Sequence, residues 1–439
     1  MSESDNRASW SKYGFILATI GSAVGLGNIW RFPYVVGESG GGAFLIPYIL
    51  AFIVLGIPLM TLEAATGRHF RGSVVTSLRK LDGRLRYLGF LPLGIVLIVF
   101  SYYTVIAGWT LAYIGFSVFG YMDFGEFTGS LWPLVTFFAT ILITGLIVRL
   151  DILRGIERAN RYIMPLLAVS MLVMLAKAIT LPGAAEGLAY YLTPDIPALS
   201  DPALWVQAAG QVFFSLSIGF GTLLTYGSYL SKDEDIPLSA SIISCADFFV
   251  AFTAGFIIFP IVFSFGFDPV SGPELAFVTL PAIFSDMFLG SLFGFVFFLL
   301  LFVGALSSMV SMLEVGVTTL VDEKRFTRQR STLLVGLFVA LIGLPSALSY
   351  AGVDLMLLGM PFLDTVDKLI GTLFVPFTAL LLFLAIAWLW KPEDLLAEIN
   401  CNSRIKLPYA AIYIYRYIIP VLLVLILIST AFSIIPEFL

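Results

Sequence analysis

The chain has 439 residues, of which 59% are hydrophobic and only 12% charged, against roughly 45–50% apolar and about 25% charged in an ordinary soluble domain. At about 20 residues per crossing plus loops, that excess of apolar surface corresponds to on the order of 11 membrane crossings and excludes a soluble enzyme. A balance of 24 Lys and Arg against 29 Asp and Glu, net −5, excludes nucleic acid as a partner, and Cys245, Cys401 and the single His69 supply neither a disulfide framework nor a transition-metal cluster.

Apolar stretches bounded by charge and by Gly/Pro clusters fall at 13–36, 42–68, 87–120, 132–150, 160–181, 204–230, 237–266, 287–320, 331–348, 363–390 and 409–435. They predict eleven transmembrane helices and an all-α integral membrane protein. The first stretch has no small-residue cleavage site after a short apolar core and reads as a span, not a removed leader. Lys and Arg concentrate in cytoplasmic loops. Here Arg7 and Lys12 precede the first span, Arg68, Arg71, Arg79, Lys80, Arg84 and Arg86 follow the second, and Arg149, Arg154, Arg158 and Arg161 follow the fourth. Lys232, the group Lys324, Arg325, Arg328 and Arg330, and finally Lys391, Arg404 and Lys406 continue the alternation. The opposite loops hold Asp123, Glu126, Glu186, Asp195, Asp201, Asp268, Glu274 and Asp286. The N-terminus is therefore expected in the cytoplasm and, with an odd count, the C-terminus outside a plasma membrane. Arg31, Lys177 and Lys368 break the pattern, although Lys177 can snorkel from the end of the fifth span. The segment 268–286, with Pro269, Pro273 and Pro281, is too short to span and is expected over the outer mouth. No linker or low-complexity tract divides residues 1–439, which read as one membrane unit.

Two spans contain residues that weaken a helix at the depth where lipid demands one. The first carries GSAVGLGNIWRFP from Gly21 to Pro33, and the sixth carries FFSLSIGFG from Phe213 to Gly221. Each glycine costs a helix about 1 kcal/mol relative to alanine, so both spans are expected to be discontinuous. Unpaired backbone in hydrocarbon costs several kcal/mol per group and is tolerated where it lines a cavity or binds something: freed carbonyls suit cations, freed amides an anion. The alternative is that Gly21, Gly25 and Gly27 serve close packing of small residues between helices. Spans one and six are five apart, and an odd offset inverts topology, which suggests a 5+5 inverted repeat of 13–181 and 204–390 with 409–435 as an extra helix.

The chain resembles the neurotransmitter:sodium symporter family, the sodium- and chloride-dependent transporters, in its prokaryotic amino-acid branch. The likeness runs through GSAVGLGNIWRFPY, GGGAFLIPYILAFIVLGIPLMTLE, SYYTVIAGW, SLSIGFG and ALSS, close to the whole chain. It implies a LeuT-like fold and sodium-coupled symport of an amino acid by alternating access, with two sodium ions and no organic cofactor. Sodium takes hard oxygen ligands, as calcium and magnesium do. One ion is implied at Ala23, Asn28, Ser215 and Asp247, a second at Gly21, Val24, Gly304, Ser307 and Ser308. Relatives carry an amide at the Asp247 position and a threonine or aspartate at that of Ser307. The competing reading of the serines is that they bond back to their own helix. Asp247 is sharper, because a carboxylate inside the membrane is costly and usually functional. No Lys or Arg is near it in sequence, so a cation suits it, and by the resemblance its fixed charge is expected to replace the chloride that animal relatives need close to this point. Some bacterial relatives place that acid one turn on, where this chain has Ala251.

The resemblance implies a substrate between the two breaks. The Leu26 and Gly27 amides and the Tyr103 hydroxyl would take a carboxylate, helped by the positive end of a half-helix, and the carbonyls of Ala23, Phe214 and Ser215 with the Ser217 hydroxyl would take an ammonium. Val99, Ile106, Phe214, Ile218, Phe220 and Met312 would form apolar walls, with Ser308 also at the pocket; Val99, Ile106 and Met312 read equally as packing residues. Gly25 stands where monoamine carriers have an aspartate, which favours a substrate carrying its own carboxylate, a hydrophobic L-amino acid. Arg31 is implied to gate the outside with Asp364, and Arg7 the inside with Asp322 near Tyr229 and Trp10; surface ion pairs are the alternative for both. Glu63 is expected to accept hydrogen bonds from freed amides, and His69 to be an interfacial residue. A channel wants symmetric rings of ligands and an enzyme a nucleophile with its base. Neither pattern is present.

Overall fold

Backbone in hydrocarbon must satisfy its own hydrogen bonds, so apolar runs of this length without barrel periodicity become helices. The computed structural model describes residues 9–11, 13–267, 276–353 and 355–434. Its membrane-depth helices are α1 (Gly14–Ala23), α2 (Gly27–Glu38), α3 (Gly41–Phe70), α4 (Gly83–Phe119), α5 (Trp132–Val148), α6 (Ile152–Ala178), α7 (Pro202–Ser215), α8 (Thr222–Gly227), α9 (Ile236–Ser264), α10 (Gly290–Lys324), α11 (Arg328–Leu348), α12 (Phe362–Leu389) and α13 (Ala411–Phe432). Among the described residues eight are long and apolar enough to cross a bilayer, nine if α1 and α2 are one span bent by 46°. The 17-residue α5 and the pair α7–α8 occupy the other two apolar stretches. Both discontinuities fall where glycine had weakened the helix.

The helix starts are written in short polar side chains. Asp201 accepts from the Ala203 amide ahead of Pro202, Asp235 from the Leu238 amide, and Thr327 from the Arg330 amide, which satisfies donors a helix end leaves free. The helix α10 runs through the middle and packs along α4, while α5 and α11 keep much of their surface for lipid. Small residues set one close approach: a Cβ on Gly227 of α8 would lie 2.6 Å from the Ala64 carbonyl of α3, so these backbones touch.

Two expectations need correction. Asp322 lies in the last turn of α10, which runs four residues past its expected end at 320, to Lys324, because Asp322 and Glu323 find buried partners across a loop. The all-α architecture carries one two-residue hairpin among the described residues, Met356–Leu357 with Met360–Pro361, in the loop before α12; Leu358 and Gly359 both take positive φ, as a tight hairpin turn requires. Within 268–286 a helix forms at Thr279–Asp286. Arg7, Lys12, Asp268, Pro269, Pro273 and Glu274 lie outside the described residues.

Candidate functional site

At the first break α1 ends with Val24 extended (φ −73°, ψ 111°). At the second, α7 ends and the chain turns through Ser217, Gly219 and Gly221, at φ 53°, 85° and 74°. Glycine takes that region freely; Ser217 is held there among buried neighbours. The freed backbone is answered by side chains. The Gly219 amide donates to Glu63 Oε1 (2.7 Å), the Gly25 amide to Asn28 Oδ1 (2.9 Å), and the Leu26 amide to Tyr103 Oη (3.1 Å).

Between the breaks lies a buried polar hub. Asn28 Nδ2 donates to Ser215 Oγ (2.9 Å), to Asp247 Oδ1 (2.7 Å) and to the Asp247 carbonyl (3.2 Å), and the Ser215 hydroxyl donates to Asp247 Oδ2 (2.6 Å). No Lys or Arg makes an ion pair with Asp247 among the described residues. Three oxygens thus converge on one amide nitrogen, a hard-oxygen set of the kind an alkali cation takes. On the α10 side, Ser307 Oγ donates to the Gly304 carbonyl (2.7 Å) and faces the Val24 carbonyl (3.3 Å), while Ser308 Oγ donates to the Ser22 carbonyl (3.1 Å). Val24, Gly304, Ser307 and Ser308 are therefore brought together. The shorter Ser307 bond runs back along its own helix, so both readings of that serine coexist. Gly21 packs first against the Asn160 side chain and then against Met164, 3.3 Å from a Cβ built on it, and no hydrogen bond joins it to this group among the described residues.

A cavity of about 10 Å³ sits beside the hub, lined by Ala23, Gly25, Gly27, Val99, Tyr103, Phe214, Ser217, Phe220, Ser308 and Met312. All ten are among the residues the resemblance assigned to substrate. Ile106 lies instead in a vestibule of about 230 Å³ above it, whose lining shares Tyr103 and Phe214 with the cavity. Ile218 is buried in the turn, its amide on the Phe213 carbonyl, and Ser215 belongs to the hub. Both Gly25 and Gly27 line the cavity and are closely packed: a Cβ on Gly27 would meet the Phe214 ring at 3.0 Å, and one on Gly25 the hydroxyls of Ser308 and Tyr103 at 2.5 and 2.9 Å.

The vestibule also holds Arg31, Asp364, Asp367 and Phe277, the last from the segment expected over the mouth. Arg31 and Asp364 are not paired: Arg31 donates to Gln211 and lies 4.9 Å from the Phe214 ring centre, and Asp364 accepts from Tyr350 Oη (2.9 Å). Gln211 and Phe214, both on α7, hold the guanidinium instead. The opposite side is shut. Trp10 donates through Nε1 to the Tyr226 carbonyl (2.9 Å) and packs edge-on against Tyr226 and Tyr229. Tyr229 Oη donates to Glu314 Oε1 (3.0 Å), and Arg328 holds the other carboxylate oxygen, Oε2, in a 2.5 Å ion pair. The Asp322 carboxylate accepts from the Ser73 amide (2.6 Å), and Arg7 is outside the described residues.

Sequence reasoning missed Gln211 and Glu314, both fully buried. The rule that singled out Asp247, a lone acid at membrane depth, also applies to Glu314. Gln211 carried no charge to draw attention, yet it joins Arg31 to the Gly27 carbonyl (2.8 Å). His69 stacks beside Trp390 and meets Glu398 (3.2 Å).

The sodium:neurotransmitter symporter family model matches residues 7–131 and 122–438. The chain is 36% identical over 437 residues to the sodium-dependent transporter YhdH of Bacillus subtilis (strain 168), covering 95% of this chain and 96% of that protein. It is 31% identical over 431 residues to the sodium-dependent serotonin transporter of Drosophila melanogaster, covering 84% of this chain and 68% of the other. The crystal structure of MhsT in complex with L-phenylalanine superposes with a TM-score of 0.88 at 37% identity, covering 97% of this chain and all of that one.

Proposed function

The chain belongs to the sodium:neurotransmitter symporter family, a group of sodium-dependent membrane transporters and not enzymes, and from that premise we propose that it imports hydrophobic L-amino acids with two sodium ions, independently of chloride. One observation carries the substrate class: Gly25, with Tyr103 and Ser308 facing it, leaves the cavity free of any side-chain acid beside the Asn28, Ser215 and Asp247 hub. A substrate bringing its own carboxylate completes the charge there, whereas a bare amine does not. Val99, Phe214, Phe220 and Met312 supply apolar walls, and methionine adapts to side chains of different shape. The L-phenylalanine bound to MhsT is in keeping with this reading.

Sodium and substrate would occupy the space between the breaks while the Trp10 side is shut. Substrate entering through the vestibule would meet Phe214 and Tyr103, and closure would carry Arg31 from Gln211 toward Asp364. Release to the other side requires Trp10 to leave Tyr226 and Tyr229, and Arg7 with Asp322 would act there. The charge pattern supports a cytoplasmic N-terminus, and an inverted repeat would make the two half-cycles related motions. Asp247, a carboxylate with no basic ion-pair partner among the described residues, would take the role of chloride.

Binding of labelled L-phenylalanine and L-leucine to purified protein in sodium, compared with potassium, tests the coupling; equal binding in the two salts overturns it. Competition by the twenty amino acids against one tracer defines the substrate, and a preference for a carboxylate-free amine overturns the assignment. Uptake is expected to be the same in chloride and in gluconate.

A further inference from the structure

We propose that the groove between α5 and α11 holds an acyl chain of an anionic phospholipid, with the lipid phosphate on Arg149. The groove is about 520 Å³, floored at Gly145 and Gly336 and walled by Ile141, Leu142, Leu333 and Leu337. A Cβ built on either glycine finds no neighbour closer than 3.9 Å, so the two glycines leave a furrow and not a contact between the helices. One end is polar, with Arg149 and Gln329 both exposed. The Arg149 guanidinium has no hydrogen-bond or ion-pair partner among the described residues, unlike Arg328 beside it, which is taken by the Val148 carbonyl and Glu314. The lining runs from Phe138 to Arg149 along α5, which at about 1.5 Å per residue is about 16 Å, close to half of a hydrocarbon core of about 30 Å. A groove one leaflet deep, apolar along its length and cationic at one end, has the shape and charge order of a single phospholipid chain and its headgroup. A helix from a second copy would extend past the midplane and has no use for a free cation at one end only.

The test is native mass spectrometry of the full chain, released from micelles holding equal amounts of phosphatidylglycerol and phosphatidylcholine. One retained phosphatidylglycerol is expected, favoured about fivefold over phosphatidylcholine, as one arginine near an anionic lipid provides. Arg149→Gln, an exposed change that disturbs no packing, should bring the ratio to about one. Gly336→Leu should fill the furrow and remove the retained lipid, and Arg84→Gln, in the first turn of α4 and outside the groove lining, should change neither. Equal retention of the two lipids by the wild type, or an unchanged ratio in Arg149→Gln, overturns the proposal. A dimer that Gly336→Leu abolishes also overturns it, because the groove would then be a protein interface.

Discussion

Replacing Gly25 by alanine adds a methyl group where the cavity has no room for it. The new Cβ would lie 2.5 Å from Ser308 Oγ, 2.9 Å from Tyr103 Oη and 3.4 Å from the Gly304 carbonyl. Carbon and oxygen rest at about 3.3–3.6 Å even in their weakest attractive contacts, so two of these oxygens must retreat by roughly 0.5–1 Å. They are not idle atoms: Tyr103 Oη holds the Leu26 amide, and Ser308 Oγ reaches the Ser22 carbonyl. Overpacking of this kind costs about 1–3 kcal/mol, and since the methyl stands where the substrate carboxylate is proposed, that cost falls on the bound state. Equilibrium binding of labelled L-phenylalanine in saturating sodium should weaken by about 5- to 150-fold. Gly94→Ala is the control: Gly94 also lies in a membrane helix, but a Cβ there meets nothing within 4 Å, so binding should stay within twofold of wild type. A folded Gly25→Ala protein that binds as tightly as Gly94→Ala would refute the placement of the carboxylate beside Gly25 and with it the case for an amino-acid substrate.

Asp247→Asn removes the fixed charge of the hub, and uptake that was indifferent to chloride should become dependent on it; a variant equally active in gluconate counts against the role given to Asp247. Ser308→Ala deletes a hydroxyl at the second proposed sodium position, and since hydrogen bonds and contacts to charge are worth about 1.5–3 kcal/mol, half-saturation by sodium should rise by roughly tenfold or more, read by titrating sodium at fixed substrate. Glu314→Gln weakens the ion pair with Arg328 and one acceptor of Tyr229; breaking a buried pair costs up to about 3–5 kcal/mol, with the larger loss expected for Glu314→Ala, and a thermal-melt series in detergent should rank wild type above Gln above Ala. Glu398 lies outside the spans; burial works to raise its carboxyl, but hydrogen bonds from His69 and Arg68 and the Arg68 charge outweigh it and hold it below its usual 4.5. Its stabilising contribution is therefore present above about 4.5 and disappears as pH falls through the lowered folded value, so Glu398→Gln should narrow the stability difference between neutral and acidic buffer; an unchanged difference would mean the contact is not coupled to folding.

The positions of the helices were legible because hydrophobic length is a local property. The apolar stretch at 237–266 became Ile236–Ser264, and that at 363–390 became Phe362–Leu389, within two residues at either end. The two breaks were legible for a similar reason, since the positive φ that Gly219 and Gly221 adopt is a conformation glycine takes freely from its own local chemistry. Ten of the residues expected around a substrate line one cavity because the two breaks, α1–α2 and α7–α8, face each other across α4 and α10. Where helix ends were set by partners across a loop, as at Asp322, local composition misjudged them.

Composition and spacing by themselves thus determined a helical membrane protein with two interrupted spans and an uncompensated acid at Asp247, since the price of bare backbone or bare charge in hydrocarbon leaves few alternatives. Only the tertiary structure decided which partner each buried charge took: Gln211 and the Phe214 ring for Arg31, Arg328 for Glu314, Tyr350 for Asp364. The reason is geometric. A charged side chain at membrane depth pairs with whatever group the packed helices bring within about 3 Å, and residues 180 positions apart in the chain, like Arg31 and Gln211, become neighbours only when the helices that carry them assemble.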